Sequence, residues 1–191
     1  MTRWEDFHIL PGVVEGITLL NRAGFCVIVV TNQRCIAKGL MTVADLEKMH
    51  QQMSDFLARA GATIDAIFYC SHEVAQSCNC RKPAPGMLLE AASSYGIDLP
   101  ASWMIGDSDI DVEAGKNAGC NTVRLVATNE TVDESGRRDA TRNYADIVAP
   151  SLLEAVRQIR HWGEAPLARS RRTQRSHESD ARLPRNSVAK P

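Results

Sequence analysis

Short apolar runs rich in β-branched residues recur between residues 25 and 150, each separated from the next by a stretch with helical periodicity. Residues 25–31 (FCVIVVT) form a continuous apolar run, as expected of a strand covered on both faces. Residues 65–70 (DAIFYC), 102–107 (SWMIGD), 121–126 (NTVRLV) and 146–150 (DIVAP) read as four further strands. Helices are predicted between and around them. One starts with Pro11 at its first position and stops at Gly24, and a second opens at a Thr42/Asp45 capping-box pair and runs to Gly61. Others span 85–95, closed by Gly96, and 109–118, closed by Gly119, and a last one covers 151–162. Strands separated by helices pair in parallel through right-handed crossovers, so the expected fold is an α/β, Rossmann-like, three-layer parallel sheet. In such sheets ligands bind beyond the carboxyl ends of the strands, here just after Thr31, Cys70 and Asp107.

Composition narrows the class. The chain of 191 residues is 44% hydrophobic and 24% charged, a globular profile with room for one domain, assigned to residues 1–163. No run approaches the roughly 20 apolar residues that a bilayer span needs, and no secretory signal pattern opens the chain. These features predict a cytoplasmic protein with no membrane partner. Six cysteines do not read as a disulfide scaffold: Cys70, Cys78 and Cys80 crowd together, while Cys26 and Cys120 sit in apolar, strand-like contexts. Residues 164–191 hold seven Arg or Lys against three Asp or Glu, giving this stretch +4 while the whole chain carries −1. Its few apolar residues show no period, so a disordered basic tail is expected. With no aromatic residue among its arginines to stack on bases, nucleic-acid binding is not expected.

Three clusters carry candidate chemistry. Thr31, Asn32, Gln33 and Arg34 place hydrogen-bonding groups at a strand end, where an anion would meet backbone amides and a hydroxyl; the plain alternative is a polar turn. In Gly106-Asp107-Ser108-Asp109-Ile110-Asp111, acids in a first helical turn are commonly present to complement the helix dipole. Asp107 differs, because a carboxylate on a strand tip preceded by glycine is well placed as a Mg²⁺ ligand, and Asp111 could hold a metal-bound water. Arg81 and Lys82 precede Pro83 and a helix. A lone lysine is usually solvated, but beside these hydroxyl and carboxylate groups a fixed ammonium would stabilise a transferring phosphoryl group.

In this order, Thr31 at a strand end, a lysine before a helix and then a GDxxxD segment, the chain resembles the haloacid dehalogenase phosphotransferase superfamily. VVTNQ, IAKG, CRKPAPGM, GDSDID and AGKNAG resemble its histidinol-phosphate and heptose-bisphosphate phosphatase branch, over about residues 4–126. Cys70, His72, Cys78 and Cys80 supply three sulfurs and one imidazole within eleven residues, the ligand count and chemistry of a closed tetrahedral Zn²⁺ site. The resemblance implies that this zinc is structural and orders a loop feeding into Arg81 and Lys82. It further implies that Thr31, Asn32 and Gln33 bind the substrate with Arg81 and Lys82, that Thr31 and Lys82 are catalytic, and that Asp107 and Asp111 serve Mg²⁺.

The superfamily's nucleophile is an aspartate in a DxDGT-like motif at the end of the first strand, with a second aspartate as general acid and base. No such motif stands before Thr31; Glu5 and Asp6 are the only acids among the first ten residues, and they match a later stretch of the family pattern. The resemblance therefore implies a missing central strand, unpaired inner sheet edges, and no hydrolysis by the family route from this polypeptide alone. A start placed too late and a catalytically dead relative both account for it. The expected substrate is a small sugar phosphate, the 7-phosphate of a heptose 1,7-bisphosphate used for lipopolysaccharide precursors, handled by a monomer. Histidinol phosphate and non-catalytic phosphate-ligand binding are the alternatives. Arg34-Cys35 stands where the family usually has Ser-Gly, which leaves the substrate open.

Overall fold

The computed structural model describes residues 4–126 and 145–162. A 3-10 turn at Trp4–Asp6 leads into α1 (Val13–Arg22), β1 (Ile28–Asn32), the short α2 (Arg34–Ala37), α3 (Val43–Arg59) and β2 (Ala66–Cys70). A 3-10 turn at Val74–Gln76 precedes α4 (Gly86–Tyr95), followed by β3 (Trp103–Gly106), α5 (Asp109–Ala118), β4 (Asn121–Leu125), β5 (Ile147–Ala149) and α6 (Leu152–Trp162). The expected tail at 164–191 lies outside the described residues.

Among the described residues all strand pairing is parallel, as the alternating pattern predicts, but the strands form two sheets: β1 pairs β2, while β4 lies between β3 and β5. Among the described residues no ladder joins β1 to β3. The Val27 carbonyl accepts the Asp65 N–H, and the Gln33 N–H donates to the Cys70 carbonyl. Odd-numbered residues of β1 thus address β2, and the Val30 backbone points to the opposite, open edge.

Helices cover both faces. Val123, Ile147 and Ala149 pack with Ala155 and Ile159 of α6, while Met104 and Thr122 lie under Gly115 of α5. Ile17 of α1 and Leu57 of α3 close over Ala62, and Leu152 ties this cluster to α6. A third cluster joins Met41, Leu46 and Met49 to Trp4, Ile36 and Tyr69. Leu46, Leu57, Val123 and Val156 are fully buried, each contributing about 1.5–3 kcal/mol of apolar transfer.

Several local expectations shift. α1 begins at Val13 because Gly12, at φ 81°, turns the chain in the left-handed region; Pro11 lies in the preceding turn. Phe25 and Cys26 are exposed and precede β1, so the strand is shorter than the apolar run that signals it. The polar stretch after Thr31 curls into α2. The Thr42/Asp45 capping box forms as predicted, with Thr42 Oγ1 accepting the Asp45 N–H and the Asp45 carboxylate accepting the Thr42 N–H.

Candidate active site and metal centre

The carboxyl ends of β1, β2 and β3 carry the predicted polar residues, and the structure draws two groups of them together. At β1, Gln33 Nε2 donates to Thr31 Oγ1 at 3.1 Å. That bond occupies an acceptor site of the hydroxyl and leaves its own hydrogen to be donated. Asn32 faces Lys82 across 50 residues: Asn32 Oδ1 accepts the Lys82 N–H at 3.0 Å, and Asn32 Nδ2 donates to the Lys82 carbonyl at 3.1 Å. The same lysine turns its ammonium back onto the sheet, donating to the Val30 carbonyl at 2.8 Å and pairing with Asp111 Oδ1 at 2.7 Å. Of the three ammonium hydrogens, one stays available among the described residues.

Asp111 sits where it does because Gly106 has no side chain; a Cβ there would collide with the Asp111 carboxyl group. Its Oδ2 caps α5, accepting from Ser108 N at 3.1 Å and Ser108 Oγ at 2.7 Å. Burial pushes the Asp111 carboxyl up, but the bonds from Lys82 and Ser108 outweigh it and hold the group below its ordinary value. Asp111, to which the sequence assigns a metal-bound water, has its Oδ1 on Lys82 and its Oδ2 on the α5 cap. The Lys82-to-Gly86 segment, with a cis bond at Lys82–Pro83, is also tied to α5 by Asn117 Nδ2 donating to the Pro83 carbonyl at 3.0 Å. Asp107, at the tip of β3, is exposed and makes no hydrogen bond or ion pair among the described residues. Asp109 is turned away, lying 3.6 Å from Arg124 Nε on β4.

The second group closes around Cys70 at the end of β2. The ligand atoms of Cys70, His72, Cys78 and Cys80 all lie within 4.8 Å of one another. Cys80 Sγ is 3.1 Å from Cys70 Sγ, 3.4 Å from Cys78 Sγ and 3.2 Å from His72 Nδ1. Cys70 Sγ lies 3.6 Å from Cys78 Sγ and 3.5 Å from His72 Nδ1. Zinc–sulfur and zinc–nitrogen bond lengths imply tetrahedron edges of about 3.5–3.8 Å, so the donor set suits that ion in number, chemistry and spacing. Burial pushes the Cys70 and Cys80 thiols up. For Cys78 burial acts the same way, but bonds from Cys80 and the Arg81 backbone prevail and lower it. Gly86 allows the loop to dock: its N–H donates to the Asn79 carbonyl at 2.9 Å, and a Cβ would strike that same carbonyl. Arg81 is joined to this loop by Nη1 donating to the His72 carbonyl at 3.2 Å.

The Asn32–Lys82 clamp and the Lys82–Asp111 pair are long-range features. The cysteine spacing is visible in the sequence, whereas only the fold shows which partners Asn32 and Asp111 take.

A family model described as HAD-hydrolase-like matches residues 79–155. The D-glycero-β-D-manno-heptose-1,7-bisphosphate 7-phosphatase of Pseudomonas aeruginosa is 39% identical over 154 residues, 78% of this chain and 86% of that protein. The Escherichia coli K12 protein of the same name is 36% identical over 163 residues, covering 82% and 83%. In three dimensions, the D,D-heptose 1,7-bisphosphate phosphatase of B. bronchiseptica, crystallised with magnesium and phosphate, superposes with TM-score 0.71 at 33% identity, covering 84% of this chain and 88% of that one. With two thirds or more of each chain shared at this identity, the chain belongs to the heptose-bisphosphate phosphatase family of HAD-like hydrolases.

Proposed function

We propose that this protein acts in hydrolysis of a sugar phosphate, the 7-phosphate of D-glycero-β-D-manno-heptose 1,7-bisphosphate. The observation that carries the reading is the Lys82 ammonium, paired with the buried Asp111 carboxylate and bonded to Val30, the residue before Thr31 at the end of β1. A fixed cation and a directed O–H donor at one strand end suit the equatorial oxygens of a phosphoryl group in transfer. Arg81, tied to the Cys/His loop through the His72 carbonyl, would take substrate recognition, with Gln33 orienting Thr31.

Two metal ions belong to this reading. Asp107, unpaired among the described residues on its strand tip, suits a hard divalent cation, and the relative crystallised with magnesium and phosphate supports Mg²⁺. Bound there, Mg²⁺ would offset the charge of the phosphate oxygens. Cys70, His72, Cys78 and Cys80 would hold a structural Zn²⁺ that fixes the loop carrying Arg81 and Lys82.

The attacking carboxylate is the part that the described residues do not present beside Lys82. We place the aspartate-bearing strand that the family route needs at the unpaired edge of β1, where it would take over the Val30 carbonyl and leave the Lys82 ammonium to Asp111 and the phosphate. A cytoplasmic monomer contributing to surface-glycan precursors completes the proposal.

The test supplies such a strand as an N-terminal extension and follows phosphate release, with Mg²⁺, from the heptose bisphosphate and from histidinol phosphate. Preferred release from the 7-position supports the reading. Preference for histidinol phosphate transfers the site to that substrate, and binding of both without release makes the protein a phosphate-ligand binder.

A further inference from the structure

Asn32 follows Thr31 at the end of β1, and by position it belongs with the groups that would meet a phosphate. Its side chain is engaged elsewhere. Oδ1 accepts the Lys82 N–H and Nδ2 donates to the Lys82 carbonyl, so the carboxamide pairs with that peptide as a neighbouring strand would. Both bonds are of ordinary hydrogen-bond length at 3.0 and 3.1 Å, and they fix the orientation of the amide. The ammonium of the same lysine returns to β1 at the Val30 carbonyl, two residues before Asn32. Lys82 is thus held to β1 at both its backbone and its amine.

We infer that Asn32 is a positioning residue. It sets the place of the Lys82 ammonium relative to the Thr31 hydroxyl and does not itself touch the transferring phosphoryl group. The inference rests on the phosphate-site reading above. It also explains why an asparagine is needed: aspartate would turn a carboxylate oxygen toward the Lys82 carbonyl, and serine is too short to reach both backbone groups.

The experiment is a double-mutant cycle on the full chain, with inorganic phosphate as the probe, read by calorimetry in excess Mg²⁺. Asn32→Leu, which removes both bonds to Lys82 without adding charge, should weaken phosphate binding about tenfold, the scale of a misplaced charged hydrogen bond. In the Lys82→Gln background the same substitution should change affinity less than twofold. A full tenfold loss in that background overturns the inference, because Asn32 would then contact phosphate directly. A second measurement needs no variant: on adding phosphate, the Asn32 side-chain amide signals of the wild-type chain should keep their hydrogen-exchange protection. Exposure or a large shift of those signals also overturns it. Wild-type protein that binds no phosphate at all fails the phosphate-site reading itself, and the role of Asn32 falls with it.

Discussion

The two sheets are built differently. In β3–β4–β5 alternate residues face opposite apolar layers, Trp103, Ile105 and Val123 toward α6 and Met104 and Thr122 toward α5, and β4 is paired on both sides. In β1–β2 every residue of β1 is only half-buried, and the strand ends are secured by polar ties: Asn32 to Lys82, Lys82 to Asp111, and the Cys/His cluster. Apolar packing makes one half a scaffold. The other half gives up continuous packing and gains a place where charges and thiols are held in fixed positions, the usual division between stability and function.

The largest effect should come from the Cys/His clamp. Elemental analysis of the purified chain should find one zinc per polypeptide, and Cys80→Ser should lose it. Because structural metal binding couples directly to folding, removal should cost several kcal/mol, on the order of 5, in thermal or chemical unfolding. Amide exchange should then rise around β2 and the 70–82 loop and stay low in β4. Uniform loss of protection across both sheets would erase the distinction between them.

Lys82→Ala comes next. It leaves the buried Asp111 carboxylate without its cation, and breaking a buried pair in this way costs about 3–5 kcal/mol. Ile159→Ala, in the apolar half, should cost about 3 kcal/mol through the cavity it leaves, with phosphate affinity unchanged. Urea titrations of both variants, paired with phosphate calorimetry, separate a site that is also structural from a core that is only structural.

The smallest effect is acid sensitivity. Asp111 is held below its ordinary value, so its stabilising contribution is complete above the unfolded carboxyl pKa of about 4 and is lost as pH falls through the lower folded value. Asp146, paired with Lys116 and bonded to Thr122, is lowered likewise, but it is more exposed. Asp111→Asn should therefore flatten the stability loss below about pH 4 more than Asp146→Asn does.

Much of the fold is legible in the sequence because its signals are local. The β-branched runs, the Thr42/Asp45 cap and the glycine stops at Gly96 and Gly119 act within a few residues of where they are read. The cysteine and histidine spacing is local too, and the structure brings those four side chains together. What the sequence hides is long-range. Only the fold shows that Lys82 passes alongside Asn32 and pairs with Asp111, because the lysine lies in another segment. Phe25 and Cys26 extend the apolar run of β1 but fall outside it, since the strand starts only where β2 offers partners, at Ile28 opposite Ala66.

The measurement that bears most directly on the phosphate site is release of the 7-phosphate from D-glycero-β-D-manno-heptose 1,7-bisphosphate in Mg²⁺. It compares the 191-residue chain with the same chain carrying an aspartate-bearing strand at its N-terminus. The account predicts no release from the first, turnover by the second, and loss of that turnover with Lys82→Gln or Asp107→Asn. Turnover by the 191-residue chain that survives both substitutions would contradict it.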